Sequence, residues 1–338
     1  MKITKNIAGK VNNQEVTSYL LENDNQMQVT ILSFGGIIQS IKVPVNGKMV
    51  ECVLGFDKVE DYLSDEYRED YPYFGALIGR HAGRICKGHF VLEDKDLQLS
   101  ANNNGNQLHG GVQGFDSKHW TVKDTFENAD NCGIVLTLHS PDGDEGFPGN
   151  LDAEVTYTLN NENELSINYK AKSDKTTICN LTNHTYFNLS LNKGETVLNH
   201  HAQVPSDKYV PIVDCIPTGE ILPVDGTDFD LREGKKVFEN LDNSFIRKVG
   251  SDEVAAELKN EDGSIGVQVK TTHPVVHLYA GYYILPFKNE SVKKSGKNAG
   301  IAIETQGFAD SLNHKNFEPT TLKAGEKYEH TTKFKFDF

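Results

Sequence analysis

Methionine is scarce in this chain, three among 338 residues, which argues against an adaptable Met-lined groove. Cysteine is sparse as well. Cys52, Cys86, Cys132, Cys179 and Cys215 are odd in number, widely spaced and without a CxxC pair. They suit neither a disulfide framework nor a zinc module and read as reduced thiols of a cytoplasmic protein. Long hydrophobic runs are missing. No window reaches the ~18 apolar residues of a membrane-spanning helix, and the longest apolar-leaning stretch, Pro274 to Phe287, is broken by His277 and Gly281. The N-terminal MKITKNIAGKVNNQ has no apolar core of the signal-peptide kind. Positive charge is also short: 34 Lys and Arg against 48 Asp and Glu leave a net charge of −14. Such a chain is repelled by nucleic acid and by anionic membranes, which leaves a neutral small molecule open. There is no HxH or HExxH metal spacing, no GxSxG elbow, no P-loop and no GxGxxG loop.

Glycine is abundant, at 29 residues, and asparagine is frequent, a mix that favours turns and short strands. Period-2 alternation recurs: Val29, Ile31 and Ser33 before Gly35–Gly36, then Ile37 to Val43, and a run after Gly47. Ile134, Leu136 and Leu138 alternate with polar neighbours. The clearest hairpin joins Val155–Leu159 to Leu165–Tyr169 through an Asn-rich loop. Tyr328 to Phe338 alternates again. Helical patterns are short: Lys58 to Leu63 behind a cap candidate at Asp57, and Phe238 to Leu241. Nothing resembles a βαβ crossover or a fixed repeat. The expectation is one domain over residues 1–338, an all-β, mostly antiparallel β-sandwich with a few short helices.

Four segments do not look like ordinary strand or loop. Gly79-Arg80-His81-Ala82-Gly83-Arg84 sets two arginines four apart between glycines, able to hold a carboxylate or hydroxyls, or else to be solvated in a turn. Leu108-His109-Gly110-Gly111 puts a histidine beside a sharp bend where a ligand can approach the backbone. Asn180 to Leu189 collects Asn180, Thr182, Asn183, His184 and Asn188 among apolar residues; as a strand it would place Thr182, His184 and Tyr186 on one face. The alternative is a histidine satisfied within a hydrogen-bond network. Glu304 interrupts the apolar run Ile301-Ala-Ile303, and a buried carboxylate needs partners or acts as a base, an arginine ion pair being the structural alternative. One candidate base, two histidines and an arginine are enough to move protons on a neutral polyol.

These residues carry a resemblance. Leu54-Gly-Phe-Asp57, GRHAGRI, LHGG, Ser140-Pro-Asp-Gly-Asp-Glu-Gly-Phe-Pro-Gly149, TNHTYFNL, Ile216-Pro-Thr-Gly-Glu220, Gly226-Thr-Asp-Phe-Asp-Leu-Arg232, Glu304-Thr-Gln306 and Ala324-Gly-Glu-Lys-Tyr328 occur in one order along nearly the whole chain. The chain is similar to the aldose 1-epimerase, or galactose mutarotase, family. The resemblance implies a galactose mutarotase-like β-sandwich and interconversion of the α and β anomers of free aldoses such as galactose and glucose. It matches Glu304 to the general base, His184 to the general acid and His109 to a second histidine that bonds sugar oxygens. It matches Arg84 to the family's arginine and Asp242 to an aspartate that binds ring hydroxyls. It implies no metal and no cofactor, a small-molecule sugar as partner, and a monomer or homodimer. Three positions depart from it: Gly83 stands where many members have Asn, His277 where many have Gln, and Cys215 where an acidic residue is common. His277 is therefore a candidate sugar-binding residue that bears on substrate preference. The alternatives are a maltose 1-epimerase of the same family and a non-catalytic sugar-binding sandwich. A hexose-phosphate epimerase is disfavoured, since no Lys/Arg cluster accompanies Arg80 and Arg84.

Overall fold

The structure, a computed structural model, describes residues 1–338 except 193, 249 and 290. Strands dominate, arranged in mostly antiparallel sheets as a β-sandwich requires. The first five strands, from Lys2–Val11 to Lys48–Glu51, form one antiparallel meander. The alternation at Val29 and Ile31 becomes the strand Gln28–Leu32, and the next strand is Ile38–Val45. A nine-stranded sheet holds the hairpin: Leu151–Asn160 pairs with Glu164–Ser173, with Val155 opposite Tyr169 and Leu159 opposite Leu165. The C-terminal strand Lys327–Asp337 fills its middle, between Glu164–Ser173 and Gly266–Thr271.

A six-stranded sheet carries the chemistry. Its order is Tyr186–Phe187, Ile301–Gln306, Val275–Tyr279, Asp242–Ile246, Lys208–Val210 and Leu222–Pro223. Side chains alternate across a strand, so this sheet has two unlike faces. Phe187, Ile303, Val276, Leu278 and Phe245 turn into the main core with Phe334, Phe336, Val267 and Leu258. Burying each such side chain contributes about 1.5–3 kcal/mol. Tyr186, Glu304, Gln306, His277, Tyr279, Asp242 and Ser244 occupy the other face and line a cavity.

The local expectations need correction at three places. Val59–Leu63 is a 3₁₀ turn whose N-cap, Lys58, makes no side-chain cap bond; the working cap is Ser64, whose hydroxyl accepts from the Tyr67 N–H at the start of the helix Asp65–Asp70. Short helices form where a side chain satisfies the first free N–H groups, and Asp57 does not reach one. Phe238 to Leu241 is a turn, closed by Leu241 N–H donating to Phe238 O, not a helix. Thr182 to Tyr186 is not one continuous strand: Thr182–Asn183 and Tyr186–Phe187 are separate, each paired elsewhere. The Asn183 carboxamide breaks it, accepting from the N–H and hydroxyl of Thr185 and donating to Gly75 O, the local competition with strand pairing that Asn side chains offer.

Candidate active site

Arg84, His109, His184, Asp242, His277 and Glu304 all line one cavity of about 600 Å³, whose wall includes Tyr73, Tyr186, Tyr279, Gln306 and Cys215. Glu304 is supplied by the fully buried strand Ile301–Gln306 and is 3% exposed. Its Oε1 lies 3.4 Å from His184 Nε2. Its other oxygen, Oε2, is buried with no protein hydrogen bond, as are His184 Nδ1 and Gln306 Oε1. Buried polar atoms left in this state cost about 1–3 kcal/mol each, which a polyhydroxylated ligand would relieve.

His184 sits at the break in the strand, its backbone bonded to Ala76 O and to the Gly75 N–H. Its ring packs between Tyr73 and Tyr186. Burial pushes its pKa below the ordinary 6.5, and the Glu304 charge offsets this in part. The Glu304 charge favours the imidazolium but does not outweigh burial.

His109 stands edge-to-face with His184, ring centroids 5.1 Å apart, with positive φ (52°), followed by Gly110 and Gly111 at 93° and 107°. Asn102 pins this bend: its carboxamide donates to Leu108 O and Gly111 O and accepts from the Leu108 N–H. Gly83 N–H donates to His109 Nδ1 at 3.2 Å. Burial, then the neighbouring His184 and Arg84, hold His109 well below 6.5. A neutral ring whose Nδ1 accepts must carry its proton on Nε2. His109 is thus a fixed donor.

Arg84 lies in a two-residue strand paired with Gln107–Leu108 and donates from Nε to Asn103 Oδ1 at 3.0 Å. Arg80 does not join it. Its side chain is buried and donates to Ser140 Oγ, Ser140 O, Pro141 O and Pro148 O. It is neither solvated nor ligand-facing, and it ties down the Ser140–Gly149 segment. Glu304 is not in an arginine ion pair; its partner is His184. His277 Nε2 lies 3.1 Å from Asp242 Oδ1.

Potential metal-ligand atoms of His109, His184 and Glu304 fall within 4.8 Å of one another, a cluster that sequence spacing did not reveal. The Gly83 bond occupies one nitrogen of His109 and leaves the proton on the other. A metal-bound imidazole needs a deprotonated ligand nitrogen with its second nitrogen donating, an arrangement opposite to the one the Gly83 bond gives His109.

Sequence reasoning passed over Gln306, Ser244 and Tyr73. Gln306 and Ser244 lie two residues from Glu304 and Asp242, and period-2 geometry alone places each on the cavity face. Tyr73 had no comparable signal: it reaches His109, ring centroids 4.8 Å apart, from a loop.

Residues 17–335 match the aldose 1-epimerase family. The chain is 40% identical to a Bos taurus galactose mutarotase over 334 residues, covering 95% of this chain and 94% of that protein. It is 35% identical to an aldose 1-epimerase of Haemophilus influenzae over 331 residues, 94% of each. A solved galactose 1-epimerase from Lactobacillus acidophilus superposes with a TM-score of 0.84 at 30% identity, covering 99% of this chain and 98% of that one. An aldose epimerase homologue from C. elegans gives 0.84 at 29% identity, covering 95% and 99%. The fold and the acid–base cavity define a carbohydrate isomerase. The chain belongs to the aldose 1-epimerase family.

Proposed function

We propose that this epimerase interconverts the α and β anomers of free galactose and glucose, with Glu304 as general base and His184 as general acid. The carrying observation is the buried Glu304–His184 pair, 3.4 Å apart at the wall of the cavity. Glu304 takes the proton of the C1 hydroxyl while His184, as imidazolium, gives its proton to the ring oxygen. The C1–O bond to the ring breaks and an aldehyde forms. Rotation about C1–C2 exposes the other face of the carbonyl. The new ring hydroxyl returns its proton to His184, and Glu304 returns its own to the former carbonyl oxygen. The proton count of enzyme and sugar is unchanged, as an isomerisation requires. Each proton-transfer group is expected to supply about 10²–10⁴-fold.

His109 donates to a sugar oxygen through Nε2, a role supported by its fixed tautomer. Arg84 and Asp242 line the same cavity and bond ring hydroxyls, and His277 lies beside Asp242. The five cysteines are free thiols, which supports work in the cytoplasm, as a monomer or homodimer. No helix among the described residues is long and apolar enough to cross a membrane. Polarimetry of freshly dissolved α-galactose, α-glucose and maltose tests the reading. Acceleration of the first two supports it, and no acceleration of any overturns it.

A further inference from the structure

His277 stands where the sheet brings two carboxylates close. In register it faces Ser244 on one neighbouring strand and Glu304 on the other. Asp242 lies two residues before Ser244 on the same face. His277 Nε2 reaches Asp242 Oδ1 at 3.1 Å, and Nδ1 lies 3.0 Å from Ser244 Oγ. Both ring nitrogens are therefore engaged by the protein. Imidazole has no third polar atom, so His277 has nothing left to bond a sugar hydroxyl, although it lines the cavity. Asp242 is different: His277 engages Oδ1, and the side chain is 30% exposed at the cavity.

We infer that His277 is a positioning residue: its imidazolium clamps Asp242 in the orientation that accepts a sugar hydroxyl, so that sugar affinity, and not proton transfer at C1, follows the protonation of His277. The inference rests on the epimerase reading of the cavity.

The groups facing His277 are Asp242 and Ser244 from one strand, Glu304 from the other, Tyr279 on its own strand, and Arg84, His109 and His184 elsewhere in the cavity. Burial works against the charged ring, but the hydrogen bond and charge of Asp242, then the charge of Glu304, outweigh burial and the opposing Arg84, and raise it above 6.5. Burial likewise opposes the Asp242 carboxylate, and His277, then Arg84 and His184, hold it below the usual carboxylate range. His109 and His184 move the other way. A group with a raised pKa is charged below that value and loses its charge as pH rises through it. The clamp is strongest at low pH and weakens on the alkaline side. A neutral His277 can still donate from Nε2, so the change is from a charge-assisted bond to an ordinary one, roughly a twofold difference in bond strength.

The test compares kcat and KM for galactose between about pH 6 and about pH 9 in the wild type, His277→Gln and His277→Leu, with galactose binding followed by calorimetry. The wild-type KM should rise about threefold or more with pH, separately from the fall in kcat that loss of the His184 proton brings. His277→Gln, whose amide donates to Asp242 without charge, should show a pH-independent KM near the wild-type alkaline value, with kcat within about twofold. His277→Leu should raise KM about tenfold at every pH. An unchanged pH slope of KM in His277→Gln, or a loss confined to kcat, would overturn the clamp. Should the wild type fail to turn galactose over, the epimerase reading falls separately. The calorimetric dissociation constant then decides: a rise with pH in the wild type that vanishes in His277→Gln supports the clamp, and equal slopes overturn it.

Discussion

The backbone N–H of Gly83 donates to Nδ1 of His109 at 3.2 Å, and this one bond decides what His109 can do. It leaves the ring a permanent donor at Nε2, available to a sugar oxygen in the ground state and in the transition state alike. Replacing His109 with Asn should therefore raise KM and lower kcat together, each by about tenfold. Steady-state polarimetry that found kcat alone affected would assign His109 to proton transfer instead.

His184 should behave differently. Its role is realised at the ring oxygen as the ring opens, so His184→Asn should lower kcat about 10²-fold or more with KM changed less than about threefold. The same pattern in His109→Asn and His184→Asn would remove the division of labour between them.

The two arginines of the GRHAGRI segment separate cleanly. Arg80 makes four hydrogen bonds to the Ser140–Pro148 stretch and lies away from the cavity wall. Arg80→Met leaves those buried acceptors unpaired and should cost about 2–4 kcal/mol of stability, read as a lower urea midpoint, while the folded enzyme keeps its KM. Arg84→Met should do the reverse, raising KM about tenfold or more. Equal effects on both readouts for both variants would contradict this.

How much of this was legible beforehand follows from how each residue signals. The antiparallel sandwich was readable because period-2 alternation at Val155–Leu159 and Leu165–Tyr169 needs no tertiary information, and those strands pair as the pattern implies. Glu304 stood out because a carboxylate in an apolar strand is anomalous. The role of Arg80 was not legible, because its partners are three carbonyls and one serine hydroxyl some sixty residues away, which carry no distinctive signature. The strand break at His184 was hidden for a related reason: Asn183 competes with the backbone only when Gly75 is there to receive it. The lowered pKa of His184 depends on burial that no local pattern encodes.

Acid should weaken the fold. His81 is pushed down to about 3 and His200 to about 4, both by burial first, and the Leu189 N–H donating to His200 Nε2 at 2.9 Å holds that ring neutral. His109 and His273 are likewise held well below 6.5 by burial. As pH falls below 6.5 the unfolded chain takes up protons at these rings and the native chain does not, so stability falls, by about 1.4 kcal/mol per pH unit for each ring. Asp116, raised to about 6 by burial, opposes this with one proton and does not cancel it. The urea midpoint should be lower at pH 5 than at pH 7. A midpoint equal or higher at pH 5 would contradict the buried neutral imidazoles.

The most direct measurement is the rate of anomer exchange of galactose at equilibrium, read by NMR magnetisation transfer between the α and β C1 protons, for wild type and Glu304→Gln. The substitution is close to isosteric and keeps the strand Ile301–Gln306 packed, so circular dichroism and the urea midpoint should differ little from wild type. The account predicts that exchange falls about 10²-fold or more, because no other carboxylate is paired with His184 in the cavity among the described residues. A folded Glu304→Gln variant that kept more than about a tenth of the wild-type exchange rate would contradict Glu304 as the base.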